Sequence, residues 1–241
     1  MLRYSDRNHL FLHDWAYHEA RALSLSMKVI QMDVFCIHLP HRKDRLMNIR
    51  KLERFYPSLN IQVIEGIRHE RGLTGCMMSH QKIVRMAKEE KRPYVWVLED
   101  DCKLLPTNGK LVDQARTIVE YLRTNPDVGV VSGCGNLSEF TIDIVKSLRD
   151  MFFLRSSRVT TSHCVFYSEA WYDKVLSLDP NHGAIDEILN EQFNLRYTYP
   201  YLATQVASFS DIKKEDTNYQ NILASNTFVT YTLKEEGLIT Q

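Results

Sequence analysis

No apolar run in this sequence approaches the ~20 residues that crossing a bilayer needs. No excess charge is present either. Thirty Lys and Arg balance 30 Asp and Glu, so no global field favours nucleic acid or an anionic membrane. Cysteine is scarce and unpatterned: Cys36, Cys76, Cys102, Cys134 and Cys164 are odd in number, widely spaced and form no CxxC. They read as buried thiols of a reducing compartment, not as a disulfide framework. Internal repeats, low-complexity tracts and obvious linkers are also missing, which favours a single domain. Residues 1–26 carry Asp6, His9, His13, Asp14, His18 and Glu19, too polar a set for a signal-peptide core. Without a secretory leader the Asn136-Leu137-Ser138 sequon carries little weight. A cytoplasmic chain is expected, with no transmembrane segment, although an uncharged patch would still permit peripheral membrane association.

What is there is a chain of 241 residues, long enough to bury a full core, with 44% apolar residues. Residues 17–25 fit a short helix preceding the core. The histidines before and within it (His9, His13, His18) suit either a polar face or a metal. Asp33 to Leu39 reads as a strand stopped by Pro40. Leu46, Ile49, Leu52 and Phe55 then recur at a near-helical spacing. Asn60 to Ile64 reads as a second strand, Cys76 to Ala87 as a helix, and Tyr94 to Leu98 as a third strand. Strand and helix alternate again through 111–122 and 127–133, which predicts an α/β fold with a mostly parallel central sheet flanked by helices. The second part has shorter strands: Met151 to Leu154, His163 to Tyr167, and two within 197–207. Helices are expected at 140–148, 170–178 and 185–193. Beyond Asp211 the pattern fades into a polar stretch and a docked tail.

The chemistry concentrates where the third strand ends. Tyr94-Val95-Trp96-Val97-Leu98 lacks the polar alternation of a half-exposed strand and reads as fully buried. It runs directly into Glu99-Asp100-Asp101. Three adjacent carboxylates repel one another and need compensation if buried. A divalent cation with oxygen ligands, Mg²⁺ or Mn²⁺, is one such compensation; a solvated acidic turn is the other reading. In open α/β sheets ligands bind at the carboxyl ends of strands. A second corner, Arg42, Lys43 and Arg45 at a strand-to-helix turn, suits an anion. Gly133 and Gly135 follow a strand, where small residues permit close approach of a ligand. Ser79 and His80 are not a nucleophile pair, because neighbours on a helix point about 100° apart.

Four segments in order resemble glycosyltransferase family 25, the lipopolysaccharide and collagen galactosyltransferase type. They are Cys36-Ile37-His38-Leu39 with Arg42, Asp44 and Arg45; Gly72-Leu73-Thr74-Gly75-Cys76-Met77-Met78-Ser79-His80; Val97-Leu98-Glu99-Asp100-Asp101; and Gln205 with Phe209-Ser210-Asp211-Ile212. The family usually places Asn where His38 stands, and residues 131–153 show little match. The resemblance implies a GT-A, Rossmann-like fold. It divides the chain into an N-terminal extension (1–30), a catalytic domain (31–212) and a C-terminal tail (213–241). Within the domain a donor half spans about 31–135 and an acceptor half about 136–212.

The resemblance also implies a UDP-sugar donor carrying galactose or glucose, Mn²⁺ or Mg²⁺, and an inverting transfer to a glycan, lipid-linked or protein acceptor. Glu99 to Asp101 would be the DxD variant, with Asp101 the foremost metal ligand, Glu99 beside it, and His163 completing the shell. On an extended strand Glu99 and Asp101 would share a face and Asp100 would point away. Leu39, Arg42, Arg45, Gly75, Ser79, His80, Glu99 and Asp100 would line the donor pocket. The base that deprotonates the acceptor would be Asp186, or alternatively Asp211. Two other readings remain open: a metal-dependent phosphoesterase or nucleotidyltransferase using the same carboxylates, and a non-catalytic sugar- or nucleotide-binding relative.

Overall fold

The computed structural model describes residues 31–137 and 142–240. The segment expected to be helical at 17–25, with His9, His13 and His18, lies outside the described residues. From Met32 the chain forms one compact unit. Its first half runs β1 (Met32–His38), α1 (Lys43–Phe55), β2 (Leu59–Glu65), α2 (Gly72–Glu89), β3 (Tyr94–Glu99), β4 (Cys102–Leu104), α3 (Asn108–Thr124), β5 (Val130–Ser132) and β6 (Asn136–Leu137). The second half continues through β7 (Asp143–Leu148), β8 (Met151–Arg155), β9 (Val159–Thr160), β10 (Cys164–Ser168), α4 (Tyr172–Leu176) and α5 (Ile185–Gln192). It ends with β11 (Arg196–Tyr199), β12 (Ala203–Gln205), β13 (Ser208–Ser210), β14 (Glu215–Thr217) and α6 (Gln220–Glu235).

Eight strands form one sheet in the order β2-β1-β3-β10-β5-β11-β8-β7. The α/β class holds. β1 pairs in parallel with β2 and β3, and β5 with β11. The sheet as a whole is mixed, because β10 runs antiparallel between β3 and β5, and β8 and β7 close the far edge antiparallel.

Helices cover both faces, which explains the unbroken apolar runs of the central strands. Phe35, Ile37, Val95 and Val97 pack with Met77, Ile83 and Val84 of α2 and Ile188 and Leu189 of α5. Their neighbours in sequence, Val34, Cys36, Trp96 and Leu98, point the other way, onto Ile49 and Leu52 of α1 and Leu111, Ala115 and Ile118 of α3. Side chains alternate faces along a strand, so consecutive apolar residues serve two cores. Across strands, Trp96 stacks on Phe166 with ring centroids 4.6 Å apart.

One expectation is corrected. Residues 143–148 are a strand where 140–148 was expected to be helical; residues 138–141 lie outside the described residues. The chain turns through Arg149, left-handed at φ 53°, and β7 pairs back on β8 from Leu148↔Met151. Its backbone pairs with a strand, and Ile144 and Val145 stay exposed. The segment after residue 212, expected as a polar stretch and a docked tail, carries regular structure. It forms β14 and the 16-residue α6, which buries Ile222, Ser225, Val229 and Leu233. The Leu137 amide donates to Ser225 Oγ at 2.9 Å. Those apolar residues keep a helical spacing, but Ser, Asn and Thr between them dilute the signal.

Candidate active site

β1 and β3 are parallel, so His38 and Glu99 emerge at the same edge of the sheet. β10 begins there because it runs the other way, with Cys164 opposite Leu98. That register sets Ser162 and His163 against Glu99. The Glu99 amide donates to the His163 carbonyl at 3.0 Å, and Ser162 Oγ donates to Glu99 Oε1 at 2.7 Å. A cleft opens over this edge, between the start of α2 and the segment Gln205 to Tyr219.

The chain turns immediately after Glu99, so the three carboxylates diverge. Asp100 accepts from Arg45 Nη1 at 2.9 Å and lies 2.8 Å from His38 Nδ1. Asp101 sits 3.1 Å from the same Arg45 nitrogen and accepts from Gln205 Nε2 at 3.3 Å. Asp100 and Asp101 are thus the pair that share a partner, because the extended strand ends at Glu99; the sequence leaves open which two of the three act together. Glu99 leans toward α2, with Oε1 3.6 Å from His80 Nε2.

Arg42 is buried behind Arg45. It donates through Nε and Nη2 to both oxygens of Asp44, at 2.9 and 2.6 Å, and through Nη1 to Asp211 Oδ2 and the Phe209 carbonyl, at 2.5 and 2.9 Å. Arg45 Nη2 also donates to the Phe209 carbonyl at 3.0 Å. The two arginines at the start of α1 therefore tie the β13 wall of the cleft to its floor. Arg45, although half surrounded by protein, stays firmly protonated through Asp101 and Asp100, which offset the burial that would lower its pKa.

Burial, with the charges of Glu99 and Asp100, raises the Asp101 pKa, and Arg45 only partly opposes this. The Glu99 pKa is lowered, because His80 and Ser162 outweigh the burial that would raise it. Asp100 and Asp101 thus share one guanidinium while Glu99 turns to His80 and Ser162, and negative charge at Asp101 is under-compensated. An oxygen-liganded divalent cation fits that donor set and that charge deficit.

Among the residues singled out in the sequence, Leu39, Arg45, Gly75, Ser79, Glu99, Asp100, Asp101 and Asp211 all line the cleft. Arg42 stands behind it as the buried partner of Asp211. His80 lies beneath Glu99, fully buried, with Nδ1 2.9 Å from the Tyr167 hydroxyl. Ser79 spends its hydroxyl internally, donating to the Gly75 carbonyl at 2.6 Å and accepting from the Ile67 amide at 2.8 Å. Gly75 is a packing requirement: a Cβ there would lie 2.5 Å from the Ile67 carbonyl oxygen.

His163 does not join the carboxylates through its ring, which is buried with Nε2 3.3 Å from Cys134 Sγ. Burial lowers its pKa to about 4, so it is neutral. Asp186 lies outside the cleft lining, its oxygens accepting from the Thr161 and Glu187 amides at 2.9 and 3.0 Å. Burial nonetheless raises its pKa despite those bonds. Asp211 is the reverse case. Burial would raise its pKa, but Arg42 and His41 hold it below the usual carboxylate range. The space beside Gly133 and Gly135 is filled by protein, not left for a ligand: a Cβ would meet Cys164 Sγ at 2.6 Å and the Tyr197 ring at 3.1 Å.

Sequence reasoning passed over Lys214 and Tyr219, which line the cleft from left-handed positions at φ 60° and 52°. Their segment has no periodicity to flag it. Cys76, read from the sequence as a buried thiol, lines the cleft one helical turn before His80. That i, i+4 spacing is legible in the sequence.

No family model matches this sequence, and no curated protein does. Similar solved structures include a glycosyltransferase involved in the glycosylation of the major capsid of PBCV-1, 11% identical, covering 67% of this chain and 76% of that one at a TM-score of 0.42. A mannose-1-phosphate geranyltransferase from Thermus thermophilus is 10% identical over 70% of this chain and 73% of that one, TM-score 0.41. An apo UDP-glucose pyrophosphorylase is 8% identical over 89% and 86%, TM-score 0.37. These likenesses are distant ones of fold.

Proposed function

We propose that the protein is a glycosyltransferase that moves a hexose from a UDP-sugar to a glycan, lipid-linked or protein acceptor with inversion. The observation that carries this reading is the convergence of Arg45 with Glu99, Asp100 and Asp101 at the carboxyl edge of β1 and β3, in a cleft with an apolar wall of Ile37, Leu39 and Ile67. An apolar wall beside fixed charges suits a nucleoside whose diphosphate needs cationic partners. In this reading Arg45 turns from its carboxylates to the diphosphate. Asp100 and Asp101 would hold the divalent cation, and its charge would offset that of a departing nucleotide. Arg42 and Asp211 keep the cleft wall in place while donor binds.

The acceptor hydroxyl needs a base, and burial leaves Asp186 with the higher proton affinity of the two candidates. Asp211 is the second reading, favoured by its place in the cleft lining.

Product analysis separates glycosyl transfer from phosphoryl chemistry. Incubated with UDP-galactose or UDP-glucose and Mn²⁺, the protein should release UDP and free hexose, from cleavage at the anomeric carbon with water in place of the acceptor. Release of UMP with sugar 1-phosphate would move the assignment to a phosphoesterase or nucleotidyltransferase. Asp186→Asn should keep donor binding and lose UDP release; normal turnover in that variant passes the role of base to Asp211.

A further inference from the structure

Beside the paired aspartates lies a second set of ligand atoms of different chemistry. Cys76 and His80 are one turn apart on the same face of α2, and Glu99 at the end of β3 faces both. Cys76 Sγ, one ring nitrogen of His80 and one Glu99 oxygen all lie within 4.8 Å of one another. His80 Nε2 is completely buried and has no hydrogen-bond partner among the described residues, although it is aimed at Glu99 Oε1, 3.6 Å away. A buried ring nitrogen left unpaired is costly unless something fills the gap.

We infer that Cys76, His80 and Glu99 form a transition-metal site of the zinc type, distinct from the oxygen-only site at Asp100 and Asp101. Ligands about 2.0–2.1 Å from a tetrahedral ion stand roughly 3.3 Å apart, so the observed nitrogen-to-oxygen gap closes on an ion with a small shift. The second shell is in place. His80 Nδ1 is 2.9 Å from the Tyr167 hydroxyl; in the tautomer whose Nδ1–H donates to that oxygen, the Nε2 lone pair is left for the metal. Ser162 donates to Glu99 Oε1 and so holds that carboxylate in place. A thiolate and an imidazole select zinc-like ions over Mg²⁺ or Ca²⁺. The protein supplies three ligands, and Cys76 and Glu99 both line the cleft. The fourth position therefore opens toward whatever the cleft binds, the pattern of three-ligand zinc sites that carry a water or substrate. This inference does not depend on the transferase reading.

Cobalt is the probe, because a cysteine thiolate gives bound Co²⁺ a near-ultraviolet charge-transfer band that oxygen ligands do not. Titrating the full-length, reduced protein with Co²⁺ should produce that band, saturating at one equivalent and bleached by Zn²⁺. Cys76→Ser, with folding checked by circular dichroism, should lose the band. Cys134→Ser and Asp101→Asn should keep it, since Cys134 belongs to the His163 contact and Asp101 to the Arg45 pair. A folded wild-type protein that gives no band overturns the inference. So does a band that survives in Cys76→Ser or disappears in Cys134→Ser.

Discussion

Asp101 and Asp186 are both carboxyl groups whose burial raises their proton affinity, yet they sit in different company. Asp101 shares Arg45 with Asp100, so Asp101→Asn relieves repulsion and should leave the fold intact. We expect metal-dependent nucleotide binding to weaken in that variant by more than about tenfold, ~1.4 kcal/mol, read by calorimetry. Unchanged affinity would remove Asp101 from the site. His163 makes an independent prediction about pH. Its folded pKa is about 4, against an ordinary 6.5. Between those values the unfolded chain binds a proton that the folded chain refuses, so stability rises with pH across this window. On acidification from pH 7 to 4 the loss from this one group reaches about 3 kcal/mol. Urea midpoints for the wild type should fall over that range more steeply than for His163→Asn; equal slopes would contradict a buried neutral imidazole. The acidic cluster and the arginine corner were legible because their residue types stand out. Their pairing was not, since Arg45 meets Asp100 across 55 residues of chain.

At the scale of elements, the first three strands and the helices between them were legible because each reports its own burial. Unbroken apolar runs mark strands covered on both faces, and a spacing of three or four marks α1 and α3. Strand direction carries no such local mark. β10 is as apolar as β3, and only pairing reveals that it runs backwards and delivers Ser162 to Glu99. The glycines misled in the same way, since permissiveness toward a ligand and permissiveness toward a neighbouring strand look alike in sequence. Gly75 gives a test in which two effects oppose. Helix propensity alone would favour Gly75→Ala by about 1 kcal/mol. The collision with the Ile67 carbonyl should cost about 1–3 kcal/mol, because both parties are backbone-bound. Thermal unfolding should therefore show a net loss of stability; a stabilised variant would mean that residues 67–69 do not pack on α2. Removing residues 213–241 takes away Ile222, Val229 and Leu233, each worth about 1.5–3 kcal/mol when buried. The sum is a large part of the roughly 5–15 kcal/mol that holds a domain together, so the truncated chain should fail to give a cooperative unfolding transition.

For the whole molecule, the mixed sheet does one thing that a purely parallel one would not. It brings strand ends from β1 and β3 and the strand start of β10 to one edge, and α6 closes the fold behind the wall that carries Tyr219. Charge balance across the chain hides a local concentration: Glu99, Asp100, Asp101, Asp211, Arg42 and Arg45 meet around one cleft. In the proposed reading this cleft binds a nucleoside diphosphate through a metal. Calorimetric titration with UDP, GDP, CMP and ADP, each in Mn²⁺ and in EDTA, tests it without knowledge of the acceptor. UDP should bind in Mn²⁺ and be lost in EDTA, while the other nucleotides bind far more weakly. Folded protein that binds none of them, or binds UDP equally well in EDTA, would contradict it.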